Sequence, residues 1–115
     1  TGPRFHDLHA MFEEQYTELW QATDDIAERV RALGYMAPIS YDEMAKSASI
    51  TFDSSTPDAS TMVKNLVEGH EQVVRTAREV LTLAAEHDDE ATADLVAPRV
   101  SFHEKTAWML RATAG

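Results

Sequence analysis

FHDLHAMFEEQYTELWQATDDIAERV, residues 5–30, repeats apolar side chains at intervals of three, four or seven positions. That period is typical of one face of an α-helix, and it predicts a helix from about Arg4 to Leu33. Gly34 comes next, and glycine commonly ends a helix in the left-handed conformation. The apolar face of the predicted helix contains Phe5, Leu8, Phe12, Leu19, Ile26, Val30 and Leu33.

Further helices are predicted downstream. Residues 40–49 predict a short helix, with Ser40 as N-cap and Glu43 closing a capping box. A second long helix is predicted to start at Pro57 and to end near His87. It carries Met62, Leu66, Val73, Val74, Val80, Leu81 and Leu83 as apolar residues.

The third long helix is predicted over residues 90–113, after a turn in which Asp88 or Asp89 is the N-cap. Pro98 falls inside this helix and is expected to kink it or to loosen one turn. Three long helices suit an all-α, antiparallel helix bundle, but they leave one apolar seam open. We therefore expect a fourth helix, from upstream or from another subunit, and hence an oligomer.

The composition limits the classes of protein to which this chain can belong. Its 115 residues suit one compact domain, and 43% hydrophobic with 26% charged residues is typical of a globular protein. The net charge is −10, and no run of Lys or Arg occurs. Such a chain repels phosphate backbones, so we expect metal cations rather than nucleic acids as partners.

The absence of cysteine excludes disulfides and thiolate metal ligands. No apolar run approaches the roughly 20 residues that cross a bilayer, and no signal peptide precedes the first helix. We therefore expect a soluble cytoplasmic protein without a membrane partner.

Polar side chains line one edge of the apolar face of the first helix. With about 100° per residue and His9 at zero, Glu13 lies near 40°, Asp24 near 60° and Glu28 near 100°. Trp20, near 20°, lies among them. Imidazole and carboxylates together are ligands suited to iron, manganese or zinc.

One helix alone cannot bring these residues to one metal, because His9 and Asp24 are about 22 Å apart along its axis. If the helix packs antiparallel against a twofold mate, His9 of one chain lies level with Asp24 and Glu28 of the other. His6 shares the same face, so spacing does not choose between His6 and His9. The alternative is that this edge is simply a solvated flank.

The other histidines suggest weaker candidates. His70 is interpreted as a residue of the polar face, and His87 as a cap at a helix C-terminus. His103, beside Glu104, is interpreted as an exposed or interface residue. Trp20 either packs in an interface or intercepts stray radicals, and packing is the favoured interpretation.

Three short motifs carry a resemblance to a known family. They are GPRFHDLH at 2–9, DDIAER at 24–29 and the closing LG at 33–34, with HEKTAWMLR at 103–111 matching more loosely. Together they resemble the Dps family (DNA-binding proteins from starved cells), the miniferritins of the ferritin-like superfamily.

The resemblance implies a ferritin-like four-helix bundle assembled from twofold dimers into a hollow dodecamer. It implies a ferroxidase centre at the twofold interface, where His9 of one subunit and Asp24 and Glu28 of its mate act as catalytic metal ligands. Glu13 occupies a position where the family often has Asp, which assists the second iron. In this family a further helix, carrying another His ligand, precedes the GPxF segment. Residues 1–115 are therefore expected to be a single Dps-type domain that lacks its first helix.

The expected function is oxidation of Fe(II), preferably by hydrogen peroxide, with storage of the ferric mineral and protection of DNA from oxidative damage. One alternative is a DNA-binding, nucleoid-associated protein without essential metal chemistry, which binds through segments not present here. Another is a helical oligomeric adaptor whose acidic face binds a basic partner.

Overall fold

The computed structural model describes residues 5–35 and 59–114, and these form three long helices. They are α1 (Phe5–Ala32), α2 (Ala59–Glu86) and α3 (Glu90–Ala114), and the described residues include no strand. The predicted all-α class is confirmed. The short helix predicted at 40–49 and the start predicted at Pro57 lie outside the described residues.

The chain divides into two compact units, residues 1–38 and 39–115. The first unit contains α1, and Gly34 ends this helix as predicted. Gly34 has a φ of 96°, its N–H donates to Arg31 O at 2.9 Å, and the N–H of Tyr35 donates to Val30 O at 3.1 Å. This pair of hydrogen bonds is a Schellman motif, in which a residue with a side chain would be strained.

A tight turn joins α2 to α3 in the second unit. Asp88 has a φ of 53° and takes the left-handed position after α2, where the N–H of Asp89 donates to Ala84 O at 2.8 Å. Asp89 is also the N-cap of α3, since its Oδ1 accepts from the backbone N–H of Thr92 at 3.1 Å. Of the two predicted caps, Asp89 is the correct one.

Helices α2 and α3 pack against each other as an antiparallel hairpin. Arg78 Nη2 lies 3.1 Å from Glu104 Oε2, and Arg111 Nη2 lies 2.9 Å from Glu71 Oε2, so ion pairs join the two helices at both places. The buried apolar residues of the hairpin are Val67, Ala77, Ala84, Val96, Ala107 and Leu110. Three of the six are alanines, which allow the two backbones to approach closely.

Several large apolar residues of α2 and α3 are exposed in the single chain. On α2 these are Met62, Leu66 and Leu83, which are 52%, 39% and 55% exposed. On α3, Trp108 is 64% exposed. These side chains do not belong to the interior of the hairpin.

Helix α3 continues through Pro98, which has no N–H to donate to the carbonyl one turn earlier. The helix is assigned without a break over this residue, and the expected kink or loosened turn stays a prediction. No described helix combines the length and the apolar character that crossing a membrane requires.

Candidate metal centre

Helix α1 carries all four predicted ligands. Glu13, Asp24 and Glu28 have exposed side chains, as expected for residues beside the apolar face rather than within it. His9 lies in the first half of α1, and its side chain is outside what the structure describes. The backbone of α1 thus separates His9 from Asp24 by 15 positions, or about 22 Å.

Asp24 and Glu28 stand one helical turn apart. No hydrogen bond or ion pair joins either carboxylate to another described residue. Two like charges at this spacing repel each other by about 0.2–0.5 kcal/mol, and a cation between them would relieve that cost. The neighbouring Asp25 differs, because its Oδ1 accepts from Gln21 Nε2 at 3.0 Å.

A shallow groove on α1 lies next to Asp24. Its volume is about 340 Å³, and Tyr16, Leu19, Trp20, Thr23 and Asp24 line it. The rings of Tyr16 and Trp20 have centroids 6.3 Å apart, and these residues are 66% and 64% exposed. The carboxylate of Asp24 is therefore bordered by two large aromatic side chains that the single chain leaves in solvent.

The described part of one chain does not assemble a complete metal site. In residues 5–35 and 59–114, no three His, Cys, Asp or Glu side chains are grouped so that they could hold a metal ion. Asp24 and Glu28 provide two exposed carboxylates, which are fewer ligands than a transition metal generally needs.

The interpretation of two other histidines was wrong. His70 is not on a polar face and His103 is not exposed: they are buried, at 7% and 1% exposure. Their Nδ1 atoms lie 2.8 Å apart between α2 and α3. His87 follows the end of α2 with an exposed side chain, and its role as a cap stays a prediction.

The spacing of the apolar residues contains the signal that would have found this pair. His70 lies three positions after Val67 and seven before Ala77, both of which are buried. His103 lies seven positions after Val96 and seven before Leu110, which are also buried. Heptad spacing to core residues therefore indicates a buried histidine even where the side chain is polar.

Comparison with known proteins identifies the family. The family model of the ferritin-like domain matches residues 1–115. A low temperature-induced protein of Nostoc, described as uncharacterized, is 39% identical over 112 residues, which are 96% of this chain and 63% of that protein. The DNA protection during starvation protein 2 of Bacillus anthracis is 36% identical over 111 residues, or 96% of this chain and 76% of that protein.

The chain thus spans less than two thirds of the length of the Nostoc relative. Among solved structures, the Dps protein of Vibrio cholerae O1 is described as a member of a broad superfamily of ferritin-like diiron-carboxylate proteins. It matches with a TM-score of 0.89 and 34% identity, over 100% of this chain and 72% of that one. This chain therefore belongs to the ferritin-like family and, within it, to the Dps miniferritins.

Proposed function

We propose that this protein oxidises Fe(II) and stores the ferric product inside a hollow homo-oligomer built from twofold dimers. The observation that carries the proposal is the pair of exposed carboxylates, Asp24 and Glu28, one turn apart on α1 beside an exposed aromatic groove. The description of the Vibrio cholerae relative as a ferritin-like diiron-carboxylate protein supports iron as the metal.

In the proposed site, Asp24 and Glu28 of one chain and His9 of its twofold mate bind the cation, and Glu13 assists a second iron. Carboxylate oxygens with imidazole nitrogen suit Fe(II), and Glu28 has two oxygens with which to bridge two ions. The net charge of −10 favours the approach of cations to such a site. The exposed Tyr16 and Trp20 support the twofold contact, because large aromatic side chains are enriched in interfaces.

The proposed oxidant is hydrogen peroxide. Two Fe(II) ions give one electron each to one H2O2, whose O–O bond breaks. With two further water molecules, the products are two FeO(OH) units and four protons. Carboxylate ligands suit this reaction because they bind the incoming cation and still allow the ferric product to leave for the mineral.

Replacing both carboxylates by amides of the same size tests the site. Asp24→Asn with Glu28→Gln should slow peroxide-dependent Fe(II) oxidation by at least roughly ten-fold, since even the loss of a residue that only hydrogen-bonds to a metal ligand costs that much. The rate is followed by absorbance after anaerobic Fe(II) loading, and assembly by sedimentation.

The matched control is Glu14→Gln with Asp25→Asn, which removes the same two charges from α1 but not from the proposed ligand set. It should oxidise Fe(II) as the unmodified protein does. If the two double variants oxidise Fe(II) equally fast, Asp24 and Glu28 are not the ligands.

Protection of DNA is a second candidate function, and the name of the Bacillus anthracis relative favours it. Removal of Fe(II) and peroxide protects DNA without contact, which suits the acidic character of this chain. Direct coating of DNA predicts a gel shift that weakens steeply with salt. Protection without any gel shift supports the indirect route.

A further inference from the structure

A pair of imidazoles is buried between α2 and α3, far along the chain from the proposed metal ligands. The Nδ1 atoms of His70 and His103 lie 2.8 Å apart, and the ring centroids are separated by 5.0 Å with planes inclined at 32°. His103 also meets the ring of Phe102 edge to face, with centroids 5.0 Å apart. The iron chemistry proposed above uses neither histidine.

The distance between the two Nδ1 atoms limits how many protons the pair can hold. A neutral imidazole carries one N–H, so a 2.8 Å hydrogen bond needs Nδ1–H on one ring and a bare Nδ1 on the other. One added proton can be accepted on the donor ring at Nε2, and the hydrogen bond persists. A second added proton must occupy the bare Nδ1, so that two N–H groups face each other and two cations lie side by side.

Burial opposes the charged forms. It lowers the pKa of His70 below its usual value of 6.5, because removing the imidazolium from water costs free energy. The unfolded chain therefore binds a proton at His70 more readily than the folded chain does. Neutral His70 therefore contributes to the free energy of unfolding. This contribution is fully present above about pH 6.5 and is lost as the pH falls through the lower pKa of the folded state.

The carboxylates that line the cavity beside the pair are both engaged by arginines. A cavity of about 330 Å³ beside His103 is lined by two carboxylates and two guanidinium groups, which belong to Glu71, Glu104, Arg75 and Arg111. Both carboxylates are already paired, Glu71 with Arg111 at 2.9 Å and Glu104 with Arg78 at 3.1 Å. An imidazolium at this place would compete with arginines for the same oxygens.

A metal ion is a less suitable occupant than a proton. A transition metal generally needs more than two protein ligands, and the described residues provide no group of three at this place. A single proton, by contrast, needs only the two nitrogens and the observed separation between them.

We propose that His70 and His103 form an acid-sensitive link between α2 and α3, closed while the pair holds at most one added proton and broken when both rings are charged. Acid therefore weakens the packing of α2 against α3. The link is a property of the hairpin and does not depend on iron binding.

The first test compares His70→Gln with His87→Gln in the metal-free protein. Both variants lose one histidine, but only the first loses the pair, since His87 is exposed. The thermal midpoint of the unmodified protein should fall by roughly 5 °C more than that of His70→Gln between about pH 7.5 and about pH 5. His87→Gln should lose at least as much as the unmodified protein, because it keeps the pair. Equal losses in all three proteins overturn the proposal.

The second test needs no substitution and holds even if His70→Gln fails to fold. Imidazole ¹⁵N spectra of the unmodified protein should show, at about pH 7.5, one of the two rings protonated at Nδ1 and the other at Nε2. If both rings carry their proton on Nε2, the hydrogen bond does not exist and the link is disproved.

Discussion

The carboxylate of Asp89 binds Thr92 twice. Its Oδ1 accepts from the backbone N–H of Thr92 at 3.1 Å, and its Oδ2 accepts from the hydroxyl at 2.6 Å. Asp89 also donates its own N–H to Ala84, so one residue ends α2 and begins α3.

Asp89→Ala should therefore lower the free energy of unfolding by about 1 kcal/mol, the usual cost of losing an N-cap. Urea unfolding followed by circular dichroism measures the change. Asp94→Ala, which removes the same charge one turn further into α3, should cost less because its exposed carboxylate caps nothing. Equal costs would show that charge rather than capping is responsible.

A substitution of Asp88, the residue before the cap, should have the opposite effect on the free energy of unfolding. Asp88 has a φ of 53°, which glycine adopts without steric cost. Asp88→Gly should leave the free energy of unfolding unchanged or raise it by up to about 1 kcal/mol, since relief of strain outweighs the added freedom of the unfolded chain. The same urea experiment checks this, and a clear loss of stability would contradict the left-handed assignment.

Leu110 is fully buried between the helices, at 0% exposure. Leu110→Ala should cost about 2–5 kcal/mol, because it removes apolar contacts and leaves a cavity. Leu83→Ala is the matched control, since Leu83 is 55% exposed and should cost much less. Denaturant midpoints of the two variants separate the outcomes, and similar midpoints would place Leu110 outside the core.

Local rules predicted much of the fold, because helix period, glycine and capping residues act within one or two turns. Gly34 and Asp89 are examples, and the family match confirms the ferritin-like fold. Burial is different, since it depends on which helices meet. The sequence pattern predicted Met62 and Leu83 as apolar residues of α2. The close contact of α2 and α3 instead buries smaller residues such as Ala77.

The candidate site was predictable only in part for a similar reason. Asp24 and Glu28 share a face of α1 by helical geometry alone, and their exposure agrees with it. Their pairing with His9 stays a prediction, because it requires a second chain. The single domain over residues 1–115 also stays a prediction. The predictions for His70 and His103 were wrong because the spacing to buried neighbours, rather than the polarity of the side chain, decides their burial.

Trp20 tests the proposed twofold contact, since it is 64% exposed in one chain and borders the groove next to Asp24. Trp20→Glu should shift the dimer towards monomer in sedimentation velocity, because a buried unpaired charge is costly in an interface. Trp20→Phe keeps an apolar ring and should leave the dimer intact. A normal dimer with Trp20→Glu would place the contact elsewhere.

Mixing two inactive variants tests whether the site is shared between chains. His9→Ala lacks the imidazole and Asp24→Asn with Glu28→Gln lacks the carboxylates, so neither variant alone should oxidise Fe(II) rapidly. After the two are unfolded and refolded together in equal amounts, half of the dimers are mixed, and each mixed dimer has one intact site. The rate should recover to about a quarter of that of the unmodified protein. No recovery, with mixed dimers demonstrated by mass spectrometry, would show that His9 and Asp24 do not meet across the interface.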